Sequence, residues 1–186
     1  AGTVSQYAIG AGGALTPLTP ATVAAGSGPG AIAVHPAGTF VYVANNGSQT
    51  VSQYAVVAGA LQALPQAAPP TGEGPRSIAI DPQGTSLYVS NLLTESISQY
   101  AIAADGHLTP MTPRAAASLR PTGIAVTKGD APLAAQPLAA WVASTTTGTV
   151  KRFTFDGDTL MPTTDAAAVM VNVTVSGGRL TVQGDP

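Results

Sequence analysis

Hydrophobic and polar residues alternate along short stretches of this chain. Residues 96–102 place Ile97, Gln99 and Ala101 on one side and Ser98, Tyr100 and Ile102 on the other. Residues 86–90 set Leu87 and Val89 against Tyr88. A period of two is the signature of a β-strand, and turn chemistry bounds each run. Pro82-Gln83-Gly84-Thr85 precedes one strand, and Asp105-Gly106 suits the positive φ of a tight hairpin. The pattern predicts four strands in a unit: A at 77–81, B at 86–90, C at 96–102 and a short D near 107–111. Prolines are expected to end D, which is tolerable on an outer edge strand. Pro-rich stretches such as Ala68-Pro69-Pro70 then lead to the next unit.

The pattern returns at a fixed interval. Val4-Ser5-Gln6-Tyr7 recurs as Val51-Ser52-Gln53-Tyr54 and Ile97-Ser98-Gln99-Tyr100, and loosely as Val150-Lys151-Arg152-Phe153. Gly28-Pro29, Gly74-Pro75 and Arg120-Pro121 are spaced by 46 residues. They lead into Ile32-Ala33-Val34, Ile78-Ala79-Ile80 and Ile124-Ala125-Val126. Tyr42-Val43-Ala44-Asn45, Tyr88-Val89-Ser90-Asn91 and Trp141-Val142-Ala143-Ser144 form a third marker. Four antiparallel strands in about 46 residues match one blade of a β-propeller. The string Gly-Pro-x-x-Ile-Ala-Val-x-Pro-x-Gly-Thr-x-x-Tyr-Val-Ala-Asn resembles the YVTN-type propeller repeat. Its continuation, Val-Ser-Gln-Tyr-Ala-Ile followed by Gly-Ala-Leu-Thr-Pro, is similar to lactonase-like propellers of the 6-phosphogluconolactonase type, which have seven blades. The resemblance is good over residues 1 to about 127 and looser over 128–186.

The ends carry a further expectation. The chain begins with a strand C (3–9) and a D (14–18), and it finishes with a hairpin at 169–175 and 179–182. In that hairpin Val173 and Val175 take the places of Ile32 and Val34. The reading is therefore all-β: one β-propeller domain over 1–186, with repeats at 28–73, 74–119 and 120–168. Residues 169–186 plus 1–27 would make a composite fourth blade, a closure that removes exposed sheet edges. The third repeat carries an enlarged A–B connection at 128–138. Two alternatives stay open: a half-ring completed by a second chain, and a piece of a longer seven-bladed protein.

Composition narrows the function classes. Charged residues are 9% of the chain and the net charge is -2, with no basic run to bind nucleic acid. No apolar stretch reaches the roughly 18 residues that span a bilayer. Cysteine is absent, which excludes disulfides and thiolate metal sites. No cofactor and no metal is expected: His35 and His107 are the two histidines, and Asp156-Gly157-Asp158 reads as a hairpin turn.

Candidate chemistry is sparse. If the chain is an enzyme, His35, Arg76, Asp81 and Glu73 are its candidates, lying near the two ends of strand A. His35 and Asp81 also share a strand-end position in successive units, which suits a structural role, and Glu73 with Arg76 suits a surface ion pair. His107 reads as solvated beside its turn. Ala31, Ala33, Ala79 and Ala125 predict a featureless channel. Tyr7, Tyr54 and Tyr100 read as aromatics packed between blades with the hydroxyl reaching a partner, and Gln6, Gln53 and Gln99 as residues between blades or at the surface. Asn46-Gly47-Ser48 and Asn172-Val173-Thr174 fit the N-glycosylation sequon, and the Thr-Pro tracts at 16–20 and 109–113 fit extended edge segments that sugars can decorate.

The expected function is a non-enzymatic scaffold, extracellular, on the cell surface or periplasmic, that binds a protein partner or itself. Sparse charge opposes such self-association little. What the family resemblance implies is different: a lactone hydrolase with charged and His side chains around the channel. The small-molecule ligand is left unspecified.

Overall fold

The computed structural model describes residues 2–117 and 120–126, and beyond them the strands at 139–144, 150–156, 159–162, 171–176 and 179–184. Side chains are described as far as residue 126, Pro113 apart. The chain opens with a hairpin of β1 (Gly2–Ile9) and β2 (Leu15–Ala25), joined through a short 3-10 turn at Ala11–Gly13. Three four-stranded antiparallel sheets follow. The first is β3 (Pro29–Val34), β4 (Phe40–Asn45), β5 (Thr50–Val57) and β6 (Ala60–Ala63). The second is β7 (Pro75–Ile80), β8 (Ser86–Asn91), β9 (Ser96–Ile102) and β10 (Leu108–Ala116). The third is β11 (Pro121–Val126), β12 (Ala139–Ser144), β13 (Val150–Asp156) and β14 (Thr159–Pro162). A last hairpin pairs β15 (Val171–Ser176) with β16 (Arg179–Gly184). Each four-stranded sheet is a meander in chain order, as a propeller blade requires. Among the described residues no helix is long and apolar enough to cross a membrane.

The repeated register follows from the repeated residues. Ile32 pairs with Val43 and Val34 with Val41, while Ile78 pairs with Val89 and Ile80 with Leu87. Because side chains alternate, these pairs share one face of each blade and Ala31, Ala33 or Ala79 share the other. In β7 both faces pack against neighbouring strands, whereas in β3 the Ala31 and Ala33 face packs and Ile32 and Val34 are exposed. Ala31 and Ala33 pack on a cluster holding Tyr42, Ala44, Ile78, Leu87 and Val89, which fills the space between the first and second blades. Tyr88, Ile97, Ala115 and Ile124, with Ala79 beside them, do the same between the second blade and β11. The alanines thus allow close approach of the next blade. They are not the lining of a featureless channel.

Two other expectations change. Strand D does not stop at its prolines. β10 continues to Ala116, with a register shift between Met111 and Ala115, and β2 runs through Pro17 and Pro20. An outermost strand gives ladder hydrogen bonds on one side only, so a bulge and a missing N–H are accommodated. The two terminal hairpins, expected to share a composite blade, are each a two-stranded sheet here. The enlarged connection at 128–138 lies outside the described residues.

Candidate functional site

Propeller blades present two loop ends, and the four candidate side chains divide between them. At one end lie the A–B turns. His35 Nδ1 accepts the N–H of Ala37 at 3.1 Å, which leaves the proton on Nε2 to bond Gly84 O at 3.0 Å. His35 thus ties the turn of the first blade to that of the second, with its ring edge-on to Phe40. Asp81, the same position one repeat on, is buried and closes its own turn. Its carboxylate accepts Thr85 N and Ser86 N on Oδ1, at 2.7 and 3.0 Å, and Thr85 Oγ1 on Oδ2 at 2.7 Å. Both side chains spend their hydrogen-bonding capacity on turn geometry.

The other end is built by the D–A and B–C loops. Gly28 and Gly74 adopt φ of 62° and 69°, and their carbonyls accept Asn46 N and Leu92 N at 2.7 and 2.8 Å. Asn46 Nδ2 donates to Pro75 O at 3.2 Å and links the loops of neighbouring blades. The B–C turns are held from inside: Asn45 Nδ2 donates to Ser52 Oγ at 2.9 Å, and Asn91 Nδ2 to Ser98 Oγ at 3.0 Å. This recurrence explains the repeated Asn of the third sequence marker.

Arg76 and Glu73 lie on this second end, and both are exposed. In β7 the register shifts between Pro75 and Ser77, so Arg76 is a bulged residue. The same shift falls at Gly30 and Thr122 in the other blades. A bulge re-aims a side chain out of the sheet. The repeat therefore keeps the geometry of this position while its residue changes from Gly to Arg to Thr. No carboxylate lies within ion-pair distance of Arg76 among the described residues, so the expected surface pair with Glu73 does not form. The strand between Arg76 and Asp81 separates the two ends by about 16 Å, so the four candidates do not form one site.

Sequence reasoning missed Arg120. It occupies the glycine slot of the repeat and adopts φ of 50° at the same loop end as Arg76. The signal was present, since Arg stands where Gly28 and Gly74 stand. His107 also departs from expectation. It is largely covered, with Nδ1 3.0 Å from Asp105 Oδ2, and Nε2 is buried with no partner among the described residues. Contact with His107 holds the Asp105 carboxyl below its usual range. No group of three or more His, Cys, Asp or Glu side chains converges among the described residues. One groove of about 240 Å³ is lined by Thr3, Pro29, Gly30, Ala31, Ile32 and Val43, none of them ionisable.

Repeating four-stranded meanders, packed face to face through their A and B strands, define a β-propeller of the class anticipated above. Residues 1–176 match the lactonase family with a seven-bladed β-propeller, and the chain belongs to that family. Among solved structures it is similar to a candidate 6-phosphogluconolactonase of Bacteroides fragilis. They share 25% identity with a TM-score of 0.69, over 81% of this chain and 42% of that one. A protein of unknown function from Desulfotomaculum acetoxidans, 18% identical, shares the fold with a TM-score of 0.66 over 97% of this chain and 54% of its own. A periplasmic gluconolactonase of Pseudomonas aeruginosa, 18% identical, shares it with a TM-score of 0.58 over 86% and 52%. The chain thus spans about half the length of these structures or less. No curated protein matches it.

Proposed function

We propose that this chain contributes to a propeller that hydrolyses sugar-acid lactones, with the D–A loop end as the working face. The family match over residues 1–176 carries the reading. It favours the hydrolase over the self-binding scaffold suggested by composition. The chemistry asked of the site is modest. Water adds to the lactone carbonyl, the ring C–O bond breaks, and the product is a hydroxy acid with one proton released. Arg76, on its bulge and with no carboxylate partner among the described residues, suits the developing oxyanion or a substrate phosphate. Glu73, exposed on the same loop end, suits the base that takes the proton of water. His35 and Asp81 hold turns at the opposite end and have no place in this step.

The test is proton release from gluconolactone and from 6-phosphogluconolactone, above the spontaneous rate. Arg76→Ala and Glu73→Gln are each expected to lower kcat/KM by about 10²-fold, and His35→Ala to lower thermal stability with little change in kcat. Absence of turnover on both lactones by the unaltered chain would sink the proposal.

A further inference from the structure

The loop between strands B and C is built the same way in the first two blades. In the first, Asn46 N donates to Gly28 O at 2.7 Å, and Gly47 N and Ser48 N both donate to Ser27 O, at 2.9 and 3.1 Å. In the second, Leu92 N donates to Gly74 O at 2.8 Å and Leu93 N to Glu73 O at 3.1 Å. Asn46 and Leu92 hold one place in the repeat, directly after the Asn that ends strand B. The backbone of the loop is satisfied with either residue, so an amide side chain is not needed to fold it. The fit to the D–A linker is close. A Cβ on Gly47 would fall 2.8 Å from Ser27 Oγ, and Asn46, itself exposed, therefore stands on a fixed base.

What Asn46 adds lies across the blade boundary. Its Nδ2 donates to Pro75 O at 3.2 Å. That carbonyl belongs to the same planar peptide unit as the N–H of Arg76. Pro75 is buried and still in register, opposite Asn91, and the register shifts directly after it. The bond thus reaches the peptide at which the bulge begins. A bulged residue has no ladder partner of its own, so rotation of this peptide is the freedom through which the Arg76 side chain would swing. The bulge at Thr122 follows Pro121 in the same way. The residue at the matching place in the blade before it is Leu92, whose side chain has no donor. Of these two boundaries, the one whose bulge carries an arginine is the one with a side-chain donor.

We infer that Asn46 is a positioning residue for Arg76: its amide fixes the Pro75–Arg76 peptide and so holds the guanidinium toward the anionic group it serves. The inference rests on the proposal that Arg76 belongs to the working site. Asn46 acts through Arg76 and not on the substrate itself. Misplacing a binding group by about 1 Å can cost on the order of 10²-fold in rate, so one bond at the base of a long side chain weighs on chemistry more than on folding. The Asn46-Gly47-Ser48 sequon gains a second meaning, because the amide a glycan would modify is engaged by the next blade.

Asn46→Leu gives the first blade the residue of the second and removes the donor, with Asn46→Ala run beside it and circular dichroism as the check on folding. Each is expected to lower kcat/KM for gluconolactone and 6-phosphogluconolactone about tenfold. In the Arg76→Ala background the same substitutions should change kcat/KM by less than about twofold, because the group they position is gone. No fall in the presence of Arg76, or an equal fall with and without it, would overturn the inference. A second measurement needs no turnover: inorganic phosphate is titrated while the Arg76 Nε resonance is followed by NMR. The unaltered chain is expected to show a saturable shift, with a midpoint several-fold higher in both Asn46 variants. Equal midpoints, or no phosphate response at Arg76 in the unaltered chain, would also overturn it. Absence of lactone turnover together with a phosphate midpoint that depends on Asn46 would discard the lactonase reading and keep the positioning role.

Discussion

Gln53 Oε1 accepts the main-chain N–H of Leu108 at 2.7 Å, and one repeat earlier Gln6 Oε1 accepts that of Leu61 at 2.5 Å. Each bond runs from strand C of one blade to strand D of the next, so it clamps adjacent blades at their outer rims. Gln53 is 5% exposed, and Leu108 is buried too. Gln53→Leu keeps the bulk but strands a buried N–H. It is expected to cost about 1–3 kcal/mol, read as a lower urea midpoint at constant m-value.

The strand-B and strand-C tyrosines set a pH limit. Tyr42 OH donates to Gly106 O at 2.8 Å and Tyr100 OH to Pro70 O at 2.6 Å, both across blade boundaries. Burial pushes each hydroxyl up to about 12, reinforced at Tyr42 by the nearby Asp105 charge and opposed at Tyr100 by Ser98 and Arg114. The folded value lies above the ordinary 10.0, so the stabilisation is complete below pH 10 and is lost as pH climbs toward 12. The loss is on the order of 2 kcal/mol per ring. Ultraviolet titration should show two tyrosines ionising about two units late, coincident with unfolding. Ionisation of all five near pH 10 in the folded protein would contradict this.

Much of this architecture was legible in the chain. The period of two and the 46-residue recurrence fixed strands A to C closely, because each repeat writes the same packing pattern again. The roles of Tyr54, Tyr100 and Gln53 followed for the same reason, but Tyr7, expected to pack as they do, is 49% exposed. What escaped depends on neighbours in space. Ala31 and Ala33 were assigned to a channel because alternation reports two faces without saying what each meets. β10 passed through its prolines because edge position decides their cost. The bulge at Arg76 left no mark in its own residue type, only in the variability of its position among Gly30, Arg76 and Thr122.

Gly84 and His35 depend on one another. Gly84 has φ of 76°, and a Cβ built there would fall on the His35 ring. Gly84→Ala is therefore expected to destabilise by more than about 2 kcal/mol, combining the left-handed penalty with the clash. In the His35→Ala background the clash is gone and only the backbone penalty remains. A double-mutant cycle by thermal melting should give a coupling of about 1 kcal/mol or more between the two sites; additive effects would mean the ring does not occupy this space.

Arg120 pays for a conformation that the glycines at the same repeat position obtain freely. At the same repeat position Gly28 and Gly74 sit at φ of 62° and 69°, and Arg120 at 50°. A side chain there carries a left-handed penalty of about 1–2 kcal/mol, from which the extra unfolded-state entropy of glycine must be subtracted. Arg120→Gly is expected to raise stability by about 0.5–1 kcal/mol on that balance. Arg120→Ala separates the backbone from the charge: it keeps the strain and should leave stability nearly unchanged. Strain retained at one loop end is a common mark of a working position, so the same pair also probes function. If Arg120→Gly gains stability while lactone turnover falls, the guanidinium is used by the site that holds Arg76. If stability rises and turnover holds, the residue is a departure from the repeat without a share in the chemistry. Urea denaturation and the proton-release assay, run on both variants, give the two answers.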